Sequence, residues 1–280
     1  MSGKKSGIET RWLYTTSENF ISLREASKNT CIIPIGCVEK HGLHLPLGTD
    51  MIQASNIVLQ ASKIETVCVF PDFTFGDIGE CTPNTPTGTI SLPLETQILL
   101  MKQLCEQIAR NGFDKILIYN GHGGNRPWLS AFLQEHRKST YKYELHIINI
   151  HCDVMKRIAK AKAIRGLKEE DRELARNYRE QGVHDGHAGY SETAYVMAVA
   201  PKSVKMDRLG ILSGKSTGMS EKYYKHGIQL RDEGWEIDFP NWIDSDEPIG
   251  CNERIGVAAM RLEAERVAGI IRRIKQGIYK

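Results

Sequence analysis

The strongest constraint on what this chain can fold into is an alternation of short apolar runs with amphipathic stretches through its first half. CIIPIGCV at 31–38 is almost continuously apolar and rich in β-branched residues, the pattern of a strand buried on both faces. Further strands are expected at 67–75, at KILIYN (Lys115–Asn120) and at LHIINIHC (145–152). Between them, Thr49 or Asp50 can cap a helix running to about residue 63. Leu94–Arg110 places Ile98, Met101, Leu104, Cys105 and Ile108 on one stripe, Asn111-Gly112 ends it, and another helix spans 127–136. This order predicts an α/β fold, a three-layer α/β/α sandwich with a mainly parallel central sheet. In such sheets ligands bind at the carboxyl ends of strands, which directs attention to the residues just after 38, 75, 120 and 152.

The alternation weakens further on. Residues 153–181 read as helical and highly charged, with the charge run on a solvated face; 191–199 reads as a short apolar helix or strand. Residues 203–250 are loop-rich and 251–274 form a last amphipathic helix. No repeat and no linker divides the chain, so residues 1–280 are expected to form a single domain. With 37 Lys+Arg against 34 Asp+Glu, no nucleic-acid or membrane partner is expected. No apolar stretch is long enough to span a bilayer, and the opening MSGKKSGIETRW has no secretory apolar segment. Seven Cys, an odd number with no CxxC, fit a reducing, cytoplasmic setting rather than a disulfide framework.

Three clusters carry chemistry. The first, EKHGLHLPLGTD, follows the first strand and puts Glu39, His41, His44 and Asp50 within twelve residues. In an extended stretch Glu39 and His41 point to one side. Mixed oxygen and imidazole donors suit Zn²⁺, Mn²⁺ or Fe²⁺, and a carboxylate such as Asp50 can bridge two ions. Alternatively Glu39 and Asp50 are caps and the imidazoles lie on a surface loop. The second, NGHGGN, presents His122 on a tight turn after the third strand. A phosphate cradle would also use glycines there, but the spacing fits neither GxGxxG nor GxxxxGK[ST]. The third gathers His184, Asp185, His187 and Glu192, offering a further acidic ligand and a proton-transfer residue; its Ser191 and Glu192 could equally just start a helix. His136, His146, His151 and His226 read as packing or surface residues, and the seven Cys stay outside the proposed metal shell.

IPIGCVEKHGLHLPLGTD, PTGTI, YNGHGGN and DGHAGYSETA resemble, in order, the signature blocks of the creatininase (creatinine amidohydrolase) family. The resemblance covers roughly residues 30–200. It implies an α/β/α sandwich, two divalent ions and hydrolysis of non-peptide or peptide C–N bonds, with a small cyclic amide or formamide as the expected small-molecule substrate. The family also contains a peptidase of mycofactocin maturation. Carried over residue by residue, it implies metal ligation by Glu39, His41, Asp50 (bridging), His122 and Glu192. It makes His187 the candidate for substrate contact or proton transfer; in the mechanism expected from these groups, Asp185 or Glu192 orients it. Family members often form hexamers, so a homo-oligomer is implied. Gly124 and Gly186 stand where creatininase proper carries acidic residues, and the 76–93 loop has Cys81 in the vicinity where a His is frequent. These departures argue against creatinine itself as substrate. The loop at 76–90, Trp235 and Trp242 are candidates for the pocket wall. Two other classes compete: a non-catalytic metal-binding protein, and a nucleotide-binding module built on GHGGN.

Overall fold

The computed structural model describes residues 8–79, 85–151, 153–160, 164–230 and 233–278. The expectations placed on Cys81 and Cys152 lie outside these residues. In chain order the elements are α1 (Ser17–Ala26), β1 (Thr30–Ile35), α2 (Thr49–Ile64), β2 (Cys68–Val69), α3 (Leu94–Arg110), β3 (Lys115–Asn120), α4 (Arg126–Lys138) and β4 (Glu144–Asn149). There follow α5 (Val154–Lys160), α6 (Glu169–Glu180), α7 (Tyr190–Val199), α8 (Glu221–Tyr224), α9 (Glu233–Asp238) and α10 (Glu253–Lys275).

The strands form one parallel sheet in the order β2-β1-β3-β4. The β1–β2 connection moves one way along the sheet, and the connections to β3 and β4 move the other way. Right-handed crossovers therefore put α2 on one face and α3 and α4 on the other. The strand period of two sorts the core accordingly. Ile32, Leu117, Tyr119 and Ile148 share a core with α2, α7 and α10. Cys31, Ile33, Ile35, Ile116, Ile118 and Leu145 share one with Met101, Cys105 and Ile108 of α3 and Trp128, Leu129 and Phe132 of α4. The α/β/α sandwich expected from the alternation is the fold observed. Its topological switch lies between β1 and β3, where a crevice opens at the carboxyl edge.

Some elements are shorter than their apolar runs. The second strand spans only two residues: Phe70 N–H donates to the Ile32 carbonyl (2.9 Å), but Pro34, the next β1 residue facing this side, has no N–H to continue the ladder, and pairing resumes as a single bridge between Ile35 and Phe73. Pro34, within β1, is tolerated because its nitrogen faces that same interrupted side, where Phe73 N–H donates to the Pro34 carbonyl (3.0 Å). The 191–199 segment is helical, and 153–181 divides into α5 and α6. One member of its charged run is not solvated. Asp171 is buried and accepts from Arg254 of α10 at 2.8 Å. No helix among the described residues is long and apolar enough to cross a membrane.

A second buried charge ties α10 to the sheet. Glu263 has no exposed surface and accepts from Tyr119 Oη (3.1 Å), Arg157 Nη1 (2.7 Å), Arg266 Nε (2.9 Å) and the His151 N–H (3.3 Å). Burial raises its pKa, but the guanidiniums of Arg266 and Arg157 outweigh that and hold it below the usual carboxylate value. Removing this acceptor strands its donors. Glu263→Ala is expected to lower unfolding free energy by about 3 kcal/mol, the low end for a broken buried pair because both arginines keep some solvent contact. Urea denaturation checks this: a midpoint unchanged from the parent protein would refute it.

Candidate metal centre

Two glycines bring the first two clusters together. A Cβ on Gly36 would lie 2.6 Å from the Met51 nitrogen, and one on Gly121 would lie 2.7 Å from the Asp50 carbonyl oxygen. Only glycine lets the ends of β1 and β3 approach the first turn of α2 this closely. Asp50, the second residue of α2, thereby meets His122, two residues beyond β3. His122 Nδ1 lies 2.8 Å from Asp50 Oδ2 and 3.0 Å from Glu39 Oε1. His41 Nε2 lies 3.5 Å from Asp50 Oδ1, 3.5 Å from Glu192 Oε2 and 4.0 Å from Glu39 Oε1. All five side chains are buried.

Backbone carbonyls set the imidazole tautomers, because a carbonyl can only accept. His122 Nε2–H donates to the Asp77 carbonyl (2.7 Å), His41 Nδ1–H to that of Glu39 (3.2 Å) and His187 Nε2–H to that of Lys40 (2.8 Å). Each ring then turns its other nitrogen toward the carboxylates. Such outer hydrogen bonds orient metal-binding imidazoles. His187 also stacks on His41, with ring centroids 4.1 Å apart, and its Nδ1 lies 3.8 Å from Glu39 Oε1.

The donor set fits divalent cations. Glu39 Oε1 and His41 Nε2 are buried without a hydrogen-bond partner, although polar atoms surround them. Donor atoms of Cys37, Glu39, Asp50 and His122 lie within 4.8 Å of one another, as do those of His41, Asp50 and Glu192. Asp50 belongs to both groups and presents a different oxygen to each His. Without cations, protons must offset three buried carboxylates. Burial opposes the charged form of His41, but Glu192 and Asp50 push its pKa up to about 10; Glu39 and Asp50 likewise raise His122 well above its usual value. Burial raises Glu192 to about 8. Burial, reinforced by the charge on His41, holds His187 down at about 4, so it is neutral near pH 7.

The cluster opens into a cavity of about 460 Å³ bounded by His122, His187, Glu192, Trp235 and Trp242. That is a volume suited to a small organic ligand. The Trp235 and Trp242 rings meet His187 edge-on, at 5.1 and 6.4 Å between centroids.

The Creatininase family model, described as creatinine amidohydrolase, matches residues 14–236. The chain belongs to the creatininase family. Relatives of the chain include mycofactocin precursor peptide peptidases from Mycobacterium ulcerans (strain Agy99) and Mycolicibacterium smegmatis (strain ATCC 700084 / mc(2)155). The first is 27% identical over 68% of this chain and 65% of its own length; the second is 27% identical over 64% and 61%. The chain thus spans less than two thirds of these relatives. Among solved structures, a mutant creatininase of Zn–Zn type superposes with a TM-score of 0.67 at 16% identity, covering 95% of this chain and 98% of its own. A manganese creatininase gives 0.68 at 17% identity, covering 94% and 98%. At these identities the likeness concerns the fold.

On this creatininase fold, Glu39, His41, Asp50, His122 and Glu192 come together as one group, with His187 beside it. Asp185 lies elsewhere than in the orienting position expected of it. Its two oxygens accept from Ser191 N–H (2.9 Å) and Ser191 Oγ (2.6 Å), capping the start of α7, while the Lys40 carbonyl holds His187. Glu192 does not contact His187 as an orienting group either; its Oε2 accepts from Ala188 N–H (2.7 Å). His184 faces Asp244 at 2.9 Å, outside the metal group, and buried His44 faces Thr193 at 3.2 Å. The expectation that every Cys stays clear of the ligands needs correction. Cys37 Sγ donates to Asp50 Oδ2 at 3.0 Å. Its place two residues before Glu39 in an extended segment was the available signal. Gln53, one helical turn after Asp50, donates to Asp50 Oδ1 (3.1 Å) and was legible in the same way. The carbonyls of Asp77, Glu39 and Lys40 carry no side-chain signal at all.

Proposed function

We propose that this protein is a metal-dependent amidohydrolase that cleaves a C–N bond of a small cyclic amide or formamide. The observation that carries this reading is the buried convergence of Glu39, His41, Asp50, His122 and Glu192, with orphaned donor atoms, beside an organic-sized cavity. Glu39, Asp50 and His122 would hold one divalent ion, and His41, Asp50 and Glu192 a second. Zinc–zinc and manganese forms of creatininase, with the same fold, favour zinc or manganese. Such ions supply Lewis-acid charge and lower the pKa of bound water toward neutrality.

The protein's own part is positioning and proton transfer. The Asp77 and Glu39 carbonyls lock His122 and His41 in the donor tautomer, so neither ring must reorient to bind. His187 is neutral, with Nε2–H committed to Lys40 and Nδ1 left to take a proton from the attacking water and return it to the departing nitrogen. Trp235 and Trp242 exclude water from one wall. We treat residues 1–280 as one catalytic domain. The mycofactocin precursor peptide peptidases among its relatives support a second reading, hydrolysis of a peptide C–N bond by the same groups.

The test is a hydrolysis screen over creatinine, other cyclic amides, formamidopyrimidines and short peptides, run before and after chelation. Turnover should be lost with the metal and return on adding Zn²⁺ or Mn²⁺. Turnover that survives complete metal removal would overturn the reading, and the substrate turned over separates the small-amide from the peptide version.

A further inference from the structure

The cavity wall contains several acids and a single arginine, and the acids are already engaged. Glu39 and Glu192 belong to the metal group. Both oxygens of Asp185 are taken by Ser191. Asp244 accepts from His184 Nε2 (2.9 Å) and from Trp235 Nε1 (3.1 Å). Asp77 Oδ1 accepts from the Gly79 N–H (3.1 Å), and Glu236 has a partner of its own. Arg126 also lines the cavity, and among the described residues no carboxylate pairs with it.

Its placement is rigid at the backbone and open at the side chain. Arg126 is the first residue of α4, directly after the turn that presents His122. Buried Asn125 pins that turn: its Oδ1 accepts from Asp77 N–H (2.8 Å) and Trp128 Nε1 (3.0 Å), and its Nδ2 donates to Asn120 (3.0 Å). Arg126 itself is exposed. A guanidinium held at a cavity rim without an internal counter-ion is suited to bind a planar or tetrahedral oxyanion through paired N–H bonds. Elsewhere on the same lining, Asp244 fixes the Trp235 indole, which with Trp242 offers an apolar wall.

We infer that Arg126 is a specificity-determining residue that selects amides carrying an anionic group, a carboxylate or a phosphate. The apolar body of such a substrate would lie against Trp235 and Trp242, and its amide would face the metal group. This rests on the amidohydrolase reading for the position of the amide, but its test reads binding and not turnover.

The experiment compares zinc-loaded parent enzyme with Arg126→Gln and Arg126→Lys. Binding of hippurate and of its neutral counterpart hippuramide is followed by quenching of tryptophan fluorescence, and phenyl phosphate against phenol forms the second arm. The parent should bind at least one anion about tenfold more tightly than its neutral partner, the scale of one charge-assisted hydrogen bond. That preference should fall to near unity in Arg126→Gln and be partly kept in Arg126→Lys. The arm in which this happens identifies carboxylate or phosphate. A preference that persists unchanged in Arg126→Gln would place anion reading on the metal ions and overturn the proposal, as would no preference in the parent. An Arg126-dependent preference in an enzyme that hydrolyses no amide would sink the hydrolase reading and leave this one standing.

Discussion

His122→Ala is expected to lose bound metal and to lower kcat/KM on the order of 10³-fold, the effect of forfeiting several kcal/mol of Lewis-acid stabilisation. The side chain touches both Glu39 and Asp50, at 3.0 and 2.8 Å, so its removal strips a donor and also leaves two buried carboxylates facing each other. Their repulsion raises their proton affinity, and protons then compete with the metal for the same oxygens. The turn should survive, because Asn125 holds it independently of the imidazole. Elemental analysis of the purified variant checks the prediction directly. Full metal stoichiometry with full activity would remove His122 from the ligand set. Loss of metal also separates this reading from a phosphate cradle, in which backbone amides would bind nucleotide whether or not the imidazole were present.

His187→Ala should behave in the opposite way, retaining metal and losing kcat by about 10²- to 10⁴-fold, the range for a positioned general acid–base group. The distinction follows from geometry. His187 meets the metal group from outside, stacking on His41 and holding Nδ1 3.8 Å from Glu39 Oε1, and its other nitrogen is committed to the Lys40 carbonyl. Metal analysis beside steady-state kinetics separates the two roles. If the variant lost metal in proportion to activity, His187 would be a ligand; if it kept its kcat, proton transfer would have to be reassigned.

The elements that were legible in the sequence are those whose signal is local. α3 and β3 run over the residues their apolar spacing indicates, because a helix stripe and a doubly buried strand each leave a pattern within a few residues. The second strand was overread because hydrophobicity alone does not weigh the missing N–H of Pro34 on the strand it pairs with. Charge was overread as solvation at Asp171, whose partner Arg254 lies 83 residues away. Within the site, Glu39, His41, Asp50, His122 and Glu192 were legible because acids and imidazoles at strand ends are chemically conspicuous. Asp185 was equally conspicuous, yet it caps α7 through Ser191; residue type cannot distinguish a cap from an orienting group.

Two things were therefore determined by the sequence alone: the layered α/β class, from the alternation of periods, and the chemistry of the available donors, from residue type. The tertiary structure decided which atoms meet. It did so at Gly36 and Gly121, where the bare backbones of two strand ends close onto one helix and bring the first two clusters into one buried group, which Glu192 of α7 joins at His41. It also decided what holds that group in place, the Asp77, Glu39 and Lys40 carbonyls, because hydrogen bonds to backbone oxygens depend on position and not on residue identity.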